Sequence, residues 1–310
     1  MTGYKDRIDA DTWTFINRSE AFSPQGTVTI ERQRHCYDEM CRSFFAGYPD
    51  GISSSAEIIE ASARKIPARI YRSENRCPAA QIIYFHGGGF AYGGLESHDD
   101  ICAELCCAKG YQVLSVDYRL APEHRFPAQY EDGFAAFEWA TSNEALPTIL
   151  VGDSAGGAIA AAVTHQFCSS IKAPLGQVLI YPYLGGDVKE GSYRRYAHAP
   201  MLSREDIIYY RHLLFGEEPL SQSKEFSPLL MEGYSRLPPT VAVTAQIDPV
   251  ADDGRNYWKL IKDAGGPAIW REEDGLVHGY LRARSMVPRA KESFSFITNT
   301  IKSLGTRKEG

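Results

Sequence analysis

The chain has 310 residues, 44% hydrophobic and 23% charged, a composition that excludes a disordered chain and fits one large globular domain with an insertion. Its 33 Lys and Arg against 39 Asp and Glu leave a net charge of −6, which repels polyanions, so nucleic acid is not an expected partner. No apolar run reaches the roughly 18 residues of a membrane span, and the opening MTGYKDRIDADTW lacks a signal-peptide core, so no membrane association and a cytoplasmic location are expected.

In chain order, residues 1–50 read as helices without strands, as in HCYDEMCRSFF from His35. Eight short apolar or β-branched runs follow: AEIIEA at 56, ARIYR at 68, QIIYF at 81, QVLSVDY at 112, TILVG at 148, QVLIYP at 177, TVAVTA at 240 and PAIWRE at 267. These are candidate strands. From the third onward, helical patterns separate them, such as PAQYEDGFAAFEWA, in which Tyr130, Phe134 and Phe137 share a face. Alternation of this kind implies an α/β fold with a mostly parallel eight-stranded sheet flanked by helices.

Residues 184–235 interrupt the alternation with a glycine- and proline-rich stretch around SREDIIYYRHLLFG. This insertion and residues 1–50 are expected to form a helical cap over the C-terminal edge of the sheet, dividing the core into 51–183 and 236–310. Seven scattered cysteines, an odd number, argue for reduced thiols over a disulfide framework. Cys102, Cys106 and Cys107 lie in CAELCCAKG, with no CxxC spacing and no matching histidine pair, so neither a metal nor a cofactor is expected.

Gly152-Asp153-Ser154-Ala155-Gly156 follows the strand TILVG and opens the helical AGGAIAAAVTHQF. Gly-x-Ser-x-Gly is a weak pattern in isolation. Between a strand and a helix it describes a turn so tight that the serine backbone is strained and a Cβ at 152 or 156 would crowd strand against helix. The hydroxyl of Ser154 is thereby pushed out of the sheet, beside the unpaired N–H groups of a helix start.

QIIYF runs into His86-Gly87-Gly88-Gly89-Phe90, whose glycines can turn sharply and aim N–H groups into a cavity, as a tetrahedral oxyanion requires. A phosphate cradle is excluded by Tyr92, which stands where GxGxxG needs glycine, and by the lack of a following Lys-Ser/Thr. His86, at the strand end, is expected to fix the loop by hydrogen bonding.

HGGGF, then DYRLAPEHRFPA, then GDSAGG, resembles the hormone-sensitive-lipase-like family of α/β-hydrolases, in its GDSAG branch of mostly microbial carboxylesterases. The resemblance covers nearly the whole chain. It implies the α/β-hydrolase fold, an oxyanion hole from the N–H groups of Gly87, Gly88 and Ala155, a structural buttress in Tyr118 to Glu123, and a possible homodimer. The chain departs from the family's frequent residues at Val250 and Ala158, neither of them a position of a catalytic group.

In this fold the triad runs serine, acid, histidine, so the base is one of His165, His198, His212 and His278. His165 falls in the helix after the nucleophile, and His198 and His212 fall in the insertion. His278 remains, in the loop DGLVHGY beyond the last strand. Asp248 follows the seventh strand, where it can hold the imidazole tautomer, whereas Asp252 and Asp253 read as first-turn acids of the next helix. The resemblance selects Asp248 and His278 as well.

The reading is a carboxylic ester hydrolase acting on small-molecule esters through an acyl-enzyme. Its alternatives are an amidase with the same triad and a non-catalytic ligand receptor on the same fold. Tyr183, Leu184, Leu202, Tyr209 and Phe215 are the expected pocket lining.

Overall fold

The computed structural model describes residues 3–4, 6–61, 64–143, 146–216 and 227–306. Its eight-stranded sheet contains every expected strand: β1 (Ile52–Ala61), β2 (Arg64–Ser73), β3 (Gln81–Phe85), β4 (Gln112–Val116), β5 (Thr148–Asp153), β6 (Gly176–Ile180), β7 (Thr240–Ile247) and β8 (Ala268–Val277). The order is β1-β2-β4-β3-β5-β6-β7-β8. Pairs from β4 through β8 are parallel, and the β1–β2 and β2–β4 pairs are antiparallel.

The helices are α1 (Ala10–Glu20), α2 (Ile30–Ser43), α3 (Asp99–Lys109), α4 (Ala128–Asn143), α5 (Ala155–Phe167), α6 (Gly191–Arg195), α7 (Arg204–Phe215), α8 (Ala251–Asp263) and α9 (Pro288–Gly305). Every residue of β3, β4, β5 and β6 is buried. Helices cover both faces, so the inner strands read as continuous apolar runs and not as alternating ones. The pleat still divides them. Ile82, Tyr84, Ile149 and Val151 join the core on one side, while Ile83, Phe85, Leu114 and Leu150 join the core on the other.

The α5 helix shows how composition sets position. Its first ten residues, Ala155 to Thr164, are all buried, which only a helix made of small and apolar side chains can tolerate against the centre of a sheet. Among the described residues no helix is long and apolar enough to cross a membrane. Residues 217–226 of the expected insertion lie outside the described residues.

Two arrangements draw the N-terminal helices to the insertion and to the glycine loop. Gln33 of α2 donates to the Tyr209 hydroxyl of α7 at 3.1 Å. Arg34 donates to the carbonyls of Ala91 and Ala121, both at 2.8 Å, and pairs with both oxygens of Glu123. The guanidinium fork is suited to this kind of planar, multi-acceptor bridge.

Candidate active site

Ser154 stands between β5 and α5 with φ +52° and ψ −119°, a conformation that side-chain-bearing residues seldom adopt. Glycines on either side make it possible, because a Cβ on Gly152 would strike the Gly156 carbonyl and one on Gly156 would strike the Phe85 carbonyl. Strain is concentrated here. The non-glycine residues with positive φ among those described are Phe90, Ser154, Tyr181 and Met201, and all four line one cavity. Such clustering is typical of sites whose geometry is set by function.

His278 follows β8 and Asp248 follows β7, so the parallel strands deliver both to the C-terminal edge where Ser154 also emerges. His278 Nε2 lies 2.8 Å from Ser154 Oγ, and its Nδ1 lies 2.7 Å from Asp248 Oδ2. Asp248 is fully buried, and its other oxygen accepts from the Val250 N–H at 3.0 Å. A carboxylate so held accepts a hydrogen bond from Nδ1–H, keeps that proton on Nδ1 and leaves Nε2 free to accept from the serine. His165 packs half-buried against Tyr234 and Tyr257, while His198 and His212 are exposed in the insertion, and none of these rival histidines is hydrogen-bonded to Ser154.

The glycine loop departs from the expectation at one position. The Gly87 N–H donates to Asp153 Oδ1 at 2.9 Å and so cannot also serve an oxyanion. The N–H groups of Gly88, Gly89 and Ala155 meet no backbone or side-chain acceptor among the described residues, and these three residues line the cavity with Ser154. The available donors are therefore those of Gly88, Gly89 and Ala155. Gly88 has φ +127° and a Cβ there would enter the Tyr92 backbone, so this turn admits glycine alone.

Asp153, which sequence reasoning passed over, anchors this loop. Its Oδ1 also accepts from the Tyr84 hydroxyl at 2.8 Å, lies 3.3 Å from His98 Nε2, and Oδ2 takes the Tyr181 hydroxyl at 3.4 Å. Burial alone would raise its pKa, but His98, Arg282 and the Tyr84 hydroxyl hold the carboxyl well below the usual carboxylate range. It is a permanent anion that fixes the loop beside the serine. The strand run TILVGD hides it, since a buried charged residue at a strand end looks like a turn residue in sequence.

His86 has the expected structural role. It stacks on Tyr118 at 4.3 Å, its Nδ1 lies 2.9 Å from the Gly87 carbonyl, and Tyr118 donates to the His86 carbonyl at 2.7 Å. Burial, reinforced by the neighbouring His98, depresses its imidazole to about 3, so it stays neutral.

Asp253 is more than a first-turn acid of α8. Its Oδ2 accepts from Leu184 N–H, Gly186 N–H and the Tyr193 hydroxyl at 2.7, 3.3 and 3.0 Å, tying the start of the insertion to the core. Burial pushes its carboxyl up to about 7. Asp252 instead holds Ser192 N–H and Arg255. Neither acid is hydrogen-bonded to His278.

A cavity of about 450 Å³ opens over Ser154, within the size range of small-molecule sites. Of the expected lining, Tyr183 and Leu202 face it, but Leu184, Tyr209 and Phe215 do not. Helix geometry explains the last two. Ile207, Tyr210, Arg211 and Leu214 line the cavity at i, i+3, i+4 and i+7, whereas Tyr209 points outward with 38% exposure, and Phe215 packs on Phe126 at 5.7 Å. Leu184 is buried in the core behind the wall. The N-terminal region contributes Tyr4, ahead of α1, and Trp13, Tyr37 and Met40 from its helices, which sequence patterning could not assign because the segment carries no site motif.

Fold and site together define a hydrolase of the α/β class. The family model described as the alpha/beta hydrolase fold matches residues 82–282, and the chain belongs to that family, as the resemblance to hormone-sensitive-lipase-like enzymes implied. The carboxylic ester hydrolase LipN of Mycobacterium tuberculosis is 35% identical over 236 residues, 72% of this chain and 63% of that protein. The ethyl acetate hydrolase of Pseudomonas putida is 30% identical over 268 residues, 83% of this chain and 84% of that one. Among solved structures, the hyperthermophilic esterase of Pyrobaculum calidifontis superposes with a TM-score of 0.88 at 28% identity, covering 97% of this chain and all, 100%, of that one.

Proposed function

We propose that this chain is a carboxylesterase that hydrolyses short- to medium-chain carboxylic esters, with Ser154 as nucleophile, His278 as general base and Asp248 orienting the base. The observation that carries the reading is the continuous hydrogen-bond chain from Ser154 Oγ through His278 to Asp248, beside three N–H groups with no acceptor among the described residues. Ser154 Oγ attacks the ester carbonyl as His278 Nε2 takes its proton, and the oxyanion is received by Gly88, Gly89 and Ala155. The imidazolium returns that proton to the leaving alcohol. Water then attacks the acyl-enzyme by the same route and releases the acid.

Residues 1–50 and 184–235 act as a cap that encloses the ester, with cores 51–183 and 236–310 beneath. A pocket of this volume suits a monomeric ester better than a lipid surface. Each methylene buried contributes about 0.8 kcal/mol until the pocket is full, so kcat/KM rises over the first carbons of the acyl chain and then falls. The maximum is expected between acetyl and octanoyl. Assaying p-nitrophenyl acetate through palmitate with matched anilides tests this. A maximum at palmitate would make the chain a lipase, preference for the anilides an amidase, and no turnover of either series a ligand receptor.

A further inference from the structure

Two arginines reach the cavity wall, Arg211 and Arg282. Arg282 is engaged, donating to the Tyr37 hydroxyl and, at 3.1 Å, to Cys41 Sγ. Arg211 is not. It is half-buried on the inner face of α7, and its buried Nε meets no acceptor among the described residues. Among the described residues no carboxylate pairs with it, whereas Arg34, Arg119 and Arg284 each hold an acid.

The acids near it are accounted for. Asp253 has its Oδ2 filled by two backbone N–H groups and the Tyr193 hydroxyl. Asp206 is exposed at the rim and accepts from Ser203 N–H and Oγ, and Glu20, also on the cavity wall, is exposed. The Tyr183 hydroxyl lies against Arg211: burial raises its pKa, and the guanidinium pulls it back down. Much of the remaining wall is apolar or aromatic, including Trp13, Phe90, Leu202, Ile207 and Leu214. A half-buried guanidinium beside a phenol, its Nε buried and with no carboxylate partner among the described residues, is a receptor for an anion.

We propose that Arg211, with Tyr183 beside it, selects esters that carry a carboxylate at the far end of an apolar arm. This inference rests on the esterase reading and deepens it. The carboxylate can arrive on the acyl arm or on the alcohol arm. Two substrate pairs separate these sources: monomethyl glutarate against methyl pentanoate, and 4-acetoxybenzoate against 4-methylphenyl acetate.

Measured in a pH-stat, Arg211→Gln should lower the anionic-to-neutral ratio of kcat/KM about 10- to 100-fold in one pair, the worth of one or two charge-assisted hydrogen bonds. The loss should fall on KM, because the contact is made equally in ground and transition states, and Arg211→Lys should retain part of the preference. Ratios that Arg211→Gln leaves unchanged in both pairs overturn the proposal. Should the wild type hydrolyse none of the four, calorimetry with glutarate and 4-hydroxybenzoate decides: binding lost in Arg211→Gln supports the anion site, and equal or absent binding refutes it, while the esterase reading fails separately if the p-nitrophenyl esters are untouched as well.

Discussion

Asp253→Asn isolates the buried acid that fastens the insertion to the core. All three donors converge on Oδ2, so an asparagine amide oxygen in that position keeps every bond and abolishes titration. The carboxyl is raised from 3.8 to about 7 in the folded chain by burial. The folded state therefore binds this proton more tightly than the unfolded chain does. The resulting stability is present in full below the unfolded pKa and is lost as pH rises through the folded one. Between pH 5 and 8 the wild type should lose roughly 2 to 3 kcal/mol from this group alone, given about 1.4 kcal/mol per unit of pKa difference. Urea unfolding of both proteins at pH 5, 6, 7 and 8 gives the comparison, with groups common to both cancelling. Asp253→Asn should gain on the wild type steadily as pH rises. A gap that stays constant, or one that widens in the wild type's favour at high pH, would refute the assignment of Asp253 as a buried acid with a raised pKa.

Asp248→Asn should fold normally and lose about 10⁴ in turnover, the effect of the equivalent change in serine proteases, because an amide cannot hold the productive tautomer; circular dichroism with kcat checks both halves. Gly89→Ala should cost about 10²-fold in kcat, the worth of one oxyanion donor, since its φ of +60° resists a side chain and the added Cβ would enter the Tyr210 ring; an unchanged kcat would remove Gly89 from the donor set. Tyr210→Ala should enlarge the cavity and move the acyl-chain optimum to longer esters, while Tyr209→Ala, on the outer face of α7, should leave the optimum where it is.

The strand run and the motifs were legible because local physics dictates them. Residues such as Ile82 to Phe85 form an unbroken apolar run because both sheet faces are covered, and a glycine-flanked serine between strand and helix admits one backbone solution. What was not legible depends on partners distant in sequence. That the Gly87 N–H is taken follows from Asp153, 66 residues away, and no pattern within HGGGF distinguishes its three glycines. The choice of Tyr209 over Tyr210 failed on helix phase: a register one residue off turns a side chain by about 100°, and only the apolar spacing of Ile207, Tyr210 and Leu214 could have set it. Asp253 looked like an ordinary first-turn acid because its three donors lie in the insertion.

The central claim is that Ser154 carries the acyl group during turnover. Rapid-quench mass spectrometry of the enzyme mixed with p-nitrophenyl butyrate measures this directly. The account predicts a butyryl group on the peptide containing Ser154, formed with the burst of p-nitrophenol, and neither burst nor label in Ser154→Ala. Ester hydrolysis that persists in Ser154→Ala, or a butyryl group found on a different residue, would contradict it.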